Sequence, residues 1–280
     1  MPKVQFEDTD DIIDICQDNV FKAVFTKKRP ESEEALAGLL SCLIGQRLSV
    51  ITVVANEPPI DDVHDRQIRF DINCEAENGE LVNVEMTMYP DDFEPVRLEF
   101  HAGKLFTGQD IRGTDKTFDD LKPAYQISFL VHKSFWDDDE VVHYFEYYDP
   151  KRKVSLGGRS HIITVELNKL GKIVEKPVEK MTAQERWSVV FRYITDIGKR
   201  QKINQILETQ EDIAMACQVL RTISKDKTER ARLMSEYKFV TDHQSQLVQA
   251  RRTGEKIGES RIVELLKSGK SPEEIIGLYK

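Results

Sequence analysis

Between Ile68 and Met88 the chain alternates apolar and polar residues in two runs. Ile68, Phe70, Ile72 and Cys74 interleave with Arg69, Asp71, Asn73 and Glu75, and Val82, Val84, Met86 and Met88 interleave with Leu81, Asn83, Glu85 and Thr87. A period of two marks a strand with one buried face, and two such runs around Asn78-Gly79 mark a β-hairpin. A two-residue loop at Asn78-Gly79 would pair Asp71 with Met86 and set apolar residues against polar ones. That is a one-residue slip, which a buried face disfavours. A three-residue loop, Glu77-Asn78-Gly79, restores the match, with Gly79 in the left-handed position that closes this turn. In that register Phe70 faces Met86, Ile72 faces Val84, Arg69 faces Thr87 and Asp71 faces Glu85.

The same patterning predicts the other elements. DNVFKAVFTK, from Asp18, reads as a helix opened by a capping-type Asp18. Residues Glu31 to Gln46 form a clearer amphipathic helix, with Leu39, Leu40, Leu43 and Ile44 inward. SVITVVANEP, from Ser49, is a strand stopped by Pro58-Pro59. Phe93 to Gln109 reads as a helix and Ala124 to His132 as a buried apolar strand. VVHYFEYYD and SHIITVEL add two strand-like runs joined by the turn-rich KRKVSLGG. This order predicts one α/β or α+β domain over residues 1–170.

From about Thr182 polar, helix-forming residues dominate, so residues 171–280 are expected to be a helical C-terminal region. Thr182 with Glu185, and Ser271 with Glu274, form capping boxes, with Pro272 at a first helical position. Trp187, Val190, Phe191 and Ile194 make an apolar stripe. Lys225 to Lys267 reads as a solvated helix or weak coiled coil, and its interspersed acids weigh against a nucleic-acid tail.

Composition narrows the classes. Hydrophobic residues make up 40% of the 280, enough for a sizeable core, and the net charge of -9 argues against a generally basic nucleic-acid coat. A local basic patch stays compatible with that charge. Cys16, Cys42, Cys74 and Cys217 show no CxxC or HxxxH spacing, which suggests neither a zinc site nor a disulfide framework and fits a reducing cytoplasm. The N-terminus is acidic without an apolar signal core, and no apolar stretch reaches membrane-spanning length. A cytoplasmic protein without a membrane partner is expected. The GxxxxGK[ST], HExxH and GxSxG signatures are absent. His101, alone on a predicted helix, reads as packed or solvated. Trp136, Tyr144, Phe145, Tyr147 and Tyr148 are able to stack bases, although core or interface is the commoner use of such residues.

The pair formed by Asp71 and Glu85 is the unusual feature. Like charges directly opposite on a sheet are destabilising. A divalent cation between them removes that cost, because carboxylates are hard ligands suited to magnesium or manganese. The plainer alternative is that both acids face water.

Several segments carry a family resemblance: DNVFKAVF, an acid on a strand, VEM at the end of a hairpin, VRLEFHAGKLFTGQDIRG, FDDLKPAYQISFL, and the ending ARRTGEKIGESRIVELLKSGKSPEEIIGLYK. In this order they resemble the Rpn-type recombination-promoting nucleases, the PD-(D/E)XK family transposases, over nearly the whole chain. The resemblance implies a restriction-endonuclease-like core, a mixed sheet flanked by helices, followed by the helical region. It implies that Asp71 and Glu85 hold Mg2+ or Mn2+, with the Met86 carbonyl as a further ligand. The third signature position, Lys in the superfamily and usually Gln in this family, is Thr87 here. A lysine would position the attacking water and stabilise developing charge, whereas threonine is short and uncharged. Arg69, Arg97 and Lys104 are candidates to supply the missing charge or to contact nucleic acid. Asp18, Asp61 and Asp62 are candidates for a third acid.

The implied function is a metal-dependent DNA endonuclease linked to recombination or mobile elements, its catalytic residues Asp71, Glu85 and Thr87. Self-association through the C-terminal helices is a further expectation. The alternative is a relative that kept the fold and lost the chemistry, a DNA-binding or protein-interaction module. A cation reaching the acid pair favours the nuclease.

Overall fold

The computed structural model describes residues 4–48, 51–53, 71–111 and 114–278. By contact density the chain divides into two compact units, Met1–Arg230 and Ala231–Lys280.

The first unit opens with α1 (Asp18–Phe25), whose Val20, Phe21, Val24 and Phe25 share one buried face. Asp18 does not cap this helix. Gln17 holds the N-cap position, and Asp18, the first helical residue, pairs instead with Lys22 one turn on, at 2.8 Å. Next comes α2 (Pro30–Ile44), started by proline, whose missing N–H costs nothing there. Its Leu36, Leu39, Leu40 and Leu43 are buried, while Ile44 is only half-buried.

The strands follow: β1 (Ile51–Val53), β2 (Ile72–Ala76) and β3 (Leu81–Thr87), then helix α3 (Glu94–Thr107), then β4 (Ala124–Leu130) and β5 (Val142–Phe145). The run expected as one strand through Asp149 leaves the main sheet after Phe145. Its last residues, β6 (Tyr148–Asp149), pair with β7 (Val154–Ser155) in a separate two-stranded ribbon. β8 (Ser160–Glu166) returns to the main sheet. Helices α4 (Ala183–Tyr193), α5 (Arg200–Thr209) and α6 (Glu211–Lys225) complete the unit. The Thr182–Glu185 capping box is present at the start of α4. Gly38 on α2 sits where a Cβ would have no room against the Asp212 side chain of α6, so glycine lets these helices approach.

Among the described residues the main sheet has six strands in the order β1-β2-β3-β4-β8-β5. β3, β4 and β8 run parallel, and the other neighbours are antiparallel. The hairpin register is the one the alternation predicts. Ile72 faces Val84, Gly79 has φ +81°, and the Ala76 N–H bonds the Glu80 carbonyl around the three-residue loop. Phe70 and Arg69 lie outside the described residues.

One face of this sheet is apolar, with Ile72, Val82, Val84, Ile127, Phe129 and Val165 fully buried. An aromatic cluster packs on it. Phe129 stands 6.0 Å from Phe21 of α1 and 5.0 Å from Phe191 of α4, and Trp187 stands 5.4 Å from Phe191. The opposite face carries Asn83, Glu85, Gln126, Ser128, Thr164 and Glu166, all buried too. Helix α3 packs against β3, β4 and β8 on that side, and His101 and Arg97 reach Glu85 from it. The plainer alternative, that both acids face water, therefore fails for Glu85, which is 2% exposed.

In the chain's remaining part, α7 (Lys227–Lys267) is largely exposed, and α8 (Pro272–Leu278) starts with the Ser271–Glu274 box. Among the described residues no helix is long and apolar enough to cross a membrane.

Candidate active site

Asp71 lies one residue before β2, and continuing the ladder by one step places it across from Glu85 of β3. Its Oδ2 accepts the Met86 N–H at 3.1 Å, so the backbone of β3 orients it. Its Oδ1 stands 3.0 Å from Lys22 Nζ, which also holds Asp18 at 2.8 Å. Lys22 and Asp18 occur one turn apart on α1, so a single helical turn delivers a cation and a second acid to Asp71. Burial raises the Asp71 pKa, the Asp18 charge raises it further, Lys22 opposes them, and the outcome is about 6.

Glu85 has other partners. Its Oε1 meets His101 Nδ1 at 2.7 Å and accepts from Asn83 Nδ2 at 3.0 Å. Asn83 also donates to Gln126 of β4 at 2.7 Å. Its Oε2 makes no hydrogen bond, although Arg97 stands 3.4 Å away. Burial works to raise the Glu85 pKa, but His101, Arg97 and Asn83 outweigh it and hold the carboxyl below its ordinary range. Two carboxyls in one site are thus driven apart in acidity, a pattern common where acids do chemistry.

Thr87 contributes a hydroxyl and Arg97 contributes the charge. Arg97 donates to Thr87 Oγ1 at 3.0 Å. It also forks onto Glu94, a buried acid at the start of α3, at 2.6 and 3.0 Å. Glu94, Arg97 and His101 lie three and four residues apart, hence on one face of α3, and that face is laid on the acid pair. Met86 is buried, and its peptide N–H is committed to Asp71.

The other sequence candidates fare differently. No ion pair joins Lys104 to Asp71 or Glu85. Arg69, Asp61 and Asp62 lie outside the described residues. Sequence reasoning read His101 as packed or solvated, and it did not single out Lys22, Asn83, Gln126 or Glu94. The available signals were spacings, Arg97 to His101 at four on a helix and Asn83 to Glu85 at two on a strand. Among the described residues no group of three His, Cys, Asp or Glu side chains is arranged to hold a metal ion.

A mixed sheet flanked by helices is the architecture of a PD-(D/E)XK nuclease. A family model described as PD-(D/E)XK nuclease family transposase matches residues 15–250, and the chain belongs to that family. Comparison with curated proteins and with solved structures gave no match. Membership supports a nuclease or mobile-element role in general terms, in a superfamily that generally uses divalent metals.

Proposed function

We propose that the protein is a divalent-metal-dependent endonuclease that hydrolyses DNA phosphodiester bonds in recombination or mobile-element movement. The observation that carries this reading is the Arg97 guanidinium, held by Glu94 and placed 3.4 Å from Glu85 and 3.0 Å from Thr87. It supplies a fixed positive charge where the third signature residue has none. Asp71, Glu85 and the Met86 carbonyl would hold Mg2+ or Mn2+. The donor set fits a hard cation: two carboxyls, one with a buried oxygen lacking a hydrogen bond, the other raised to about 6 by burial and the neighbouring acids despite Lys22. Such an ion, when bound, lowers the pKa of its water and polarises the scissile phosphate.

The chain's own groups do the rest. His101 and Asn83 fix Glu85 through Oε1, which leaves Oε2 without a hydrogen bond and facing Arg97 at 3.4 Å. Thr87 steers Arg97 rather than the water. Arg97 stabilises charge that develops on the phosphate, so its effect belongs to turnover more than to affinity. Lys22 pairs with both Asp71 and Asp18, and would have Asp18 as its remaining partner if Asp71 held an ion. DNA phosphates provide most of the grip, which makes binding salt-sensitive. We place the protein in the cytoplasm and assign self-association to the C-terminal helices, where Ile262, Val263 and Leu266 are exposed.

One observation favours the non-catalytic alternative: Lys22 already satisfies one Asp71 oxygen. Supercoiled-plasmid nicking separates the two readings. Magnesium-dependent nicking by the native protein, abolished by chelator and by Asp71→Ala, is the expected result. Absence of nicking in magnesium and in manganese, with intact DNA binding, would leave the module reading.

A further inference from the structure

Across α3 from Arg97 and His101, the same sheet face opens into a cavity of about 300 Å³. α3 lines it with Leu98 and Ala102, β8 with Thr164, and an aromatic group with Trp136, Phe145 and Tyr147. That volume is at the small end for ligand pockets and suits one planar ring system.

The aromatic side is ordered in advance. Trp136 stands 4.9 Å from Phe145 and 4.8 Å from His143, ring centre to ring centre. His143 is held in turn by Asp138 at 3.0 Å, and Lys169 ties Asp138 to the buried Glu166 at 2.7 and 2.6 Å. These rings are not absorbed into the core. Trp136 and Phe145 are half-buried and Tyr147 is 57% exposed. Thr164 is fully buried, yet its Oγ1 has no hydrogen-bond partner, and it lines the cavity. A hydroxyl there can donate or accept. The charged residues lining the cavity are Glu99 and Glu146, both exposed. Carboxylates repel a phosphate but accept from the exocyclic amines and ring N–H groups of bases.

We propose that this cavity takes one unpaired nucleobase of the DNA strand, stacked on the Trp136–Phe145–Tyr147 group, with Thr164 bonding its edge and the phosphates kept outside. The site rests on the reading of DNA as substrate. It adds a base-stacking contact on the far side of α3 from the acid pair, and it gives single-stranded or distorted DNA an advantage over a relaxed duplex, whose bases are not free to enter.

Tryptophan fluorescence tests it, because the chain has two tryptophans and Trp187 is sealed in the core at 1% exposure. The full-length protein is titrated in chelator with a five-nucleotide single strand of deoxycytidine, and with a strand of equal length and charge made wholly of abasic sites. The base-containing strand should quench the emission and bind roughly five- to 150-fold more tightly than the abasic strand, the range of one base stacked on an aromatic group. Tyr147→Ala should lose a large part of that difference. The exposure of Tyr147 makes the variant safe for the fold, which circular dichroism would check. Equal binding of the two strands, or no effect of Tyr147→Ala, would overturn the proposal. So would equal quenching by an aromatic peptide amide, which would assign the cavity to a peptide. Base-dependent quenching in a protein that fails the nicking assay would uphold the pocket and sink only the cleavage reading. Nicking without base-dependent quenching would do the reverse.

Discussion

The two faces of the central sheet come from alternate residues of the same strands, yet they are held by different forces. On one, Val84, Ile127 and Phe129 are sealed under α1 and α4 by apolar and aromatic contact. On the other, Glu85, Gln126 and Ser128 are sealed under α3 with their polar groups only partly paired. Glu85 Oε2, Gln126 Nε2, Ser128 Oγ and Thr164 Oγ1 make no hydrogen bond. Each such buried group costs about 1–3 kcal/mol. A protein that builds one face from apolar side chains and leaves the polar groups of the other incompletely satisfied uses the first for stability. The second is the place to look for a ligand.

Neighbours on β4 test that division most strongly. Phe129→Ala should cost about 3–5 kcal/mol, because it empties the centre of the aromatic cluster. Ser128→Ala, one residue away on the other face, removes an unpaired buried hydroxyl and should leave the protein as stable as the native one or more stable by up to about 1–3 kcal/mol. Urea denaturation of both decides, and similar losses would erase the distinction between the faces.

Arg97→Met should lower the stability, since it strips the cation from buried Glu94 and Glu85, and in the fraction shown to be folded should lower magnesium-dependent turnover about 100- to 1,000-fold, the usual effect of losing one electrostatic donor in a transition state. Substrate affinity should change far less. A loss confined to affinity would make Arg97 a DNA contact instead.

A smaller effect concerns pH. Burial and Asp18 raise the Asp71 pKa from 3.8 to about 6, so the folded chain holds this proton more tightly than the unfolded one. Stability from the group is fully present below about pH 3.8 and is lost as pH rises through about 6. In chelator the native protein should lose on the order of 3 kcal/mol across that window through this group. Asp71→Asn should not show that loss. Glu85 runs the other way, since its lowered pKa gives stability that disappears as pH falls, so the difference between native protein and Asp71→Asn is the informative quantity. Identical pH profiles for the two proteins would show that Asp71 is not strained by its neighbours.

The apolar face was legible in the sequence because a buried face writes itself as alternation. The hairpin loop, its register and the role of Gly79 followed from eight apolar residues and one turn. The site's acids were legible for the same reason, since register carried them together. What covers them was not. Glu94, Arg97 and His101 sit at helical spacing as a polar stripe, the pattern of any solvated helix face, and only tertiary approach turns that face inward. Asp18 shows the limit from the other side. An acid at a helix start reads as a cap, but Lys22 and the nearby Asp71 draw it into an ion-pair chain instead. The ribbon of β6 and β7 was hidden because a bend after Phe145 leaves the apolar count of the run unchanged.

Calorimetric titration of Mn2+ into the metal-free protein at pH 7.5 tests the central claim, that the incompletely satisfied face is a cation-holding catalytic face. One ion per chain should bind to the native protein, and Glu85→Gln, with the fold verified, should bind at least tenfold more weakly. Native protein that takes up no ion, or uptake unchanged by Glu85→Gln, would contradict the account.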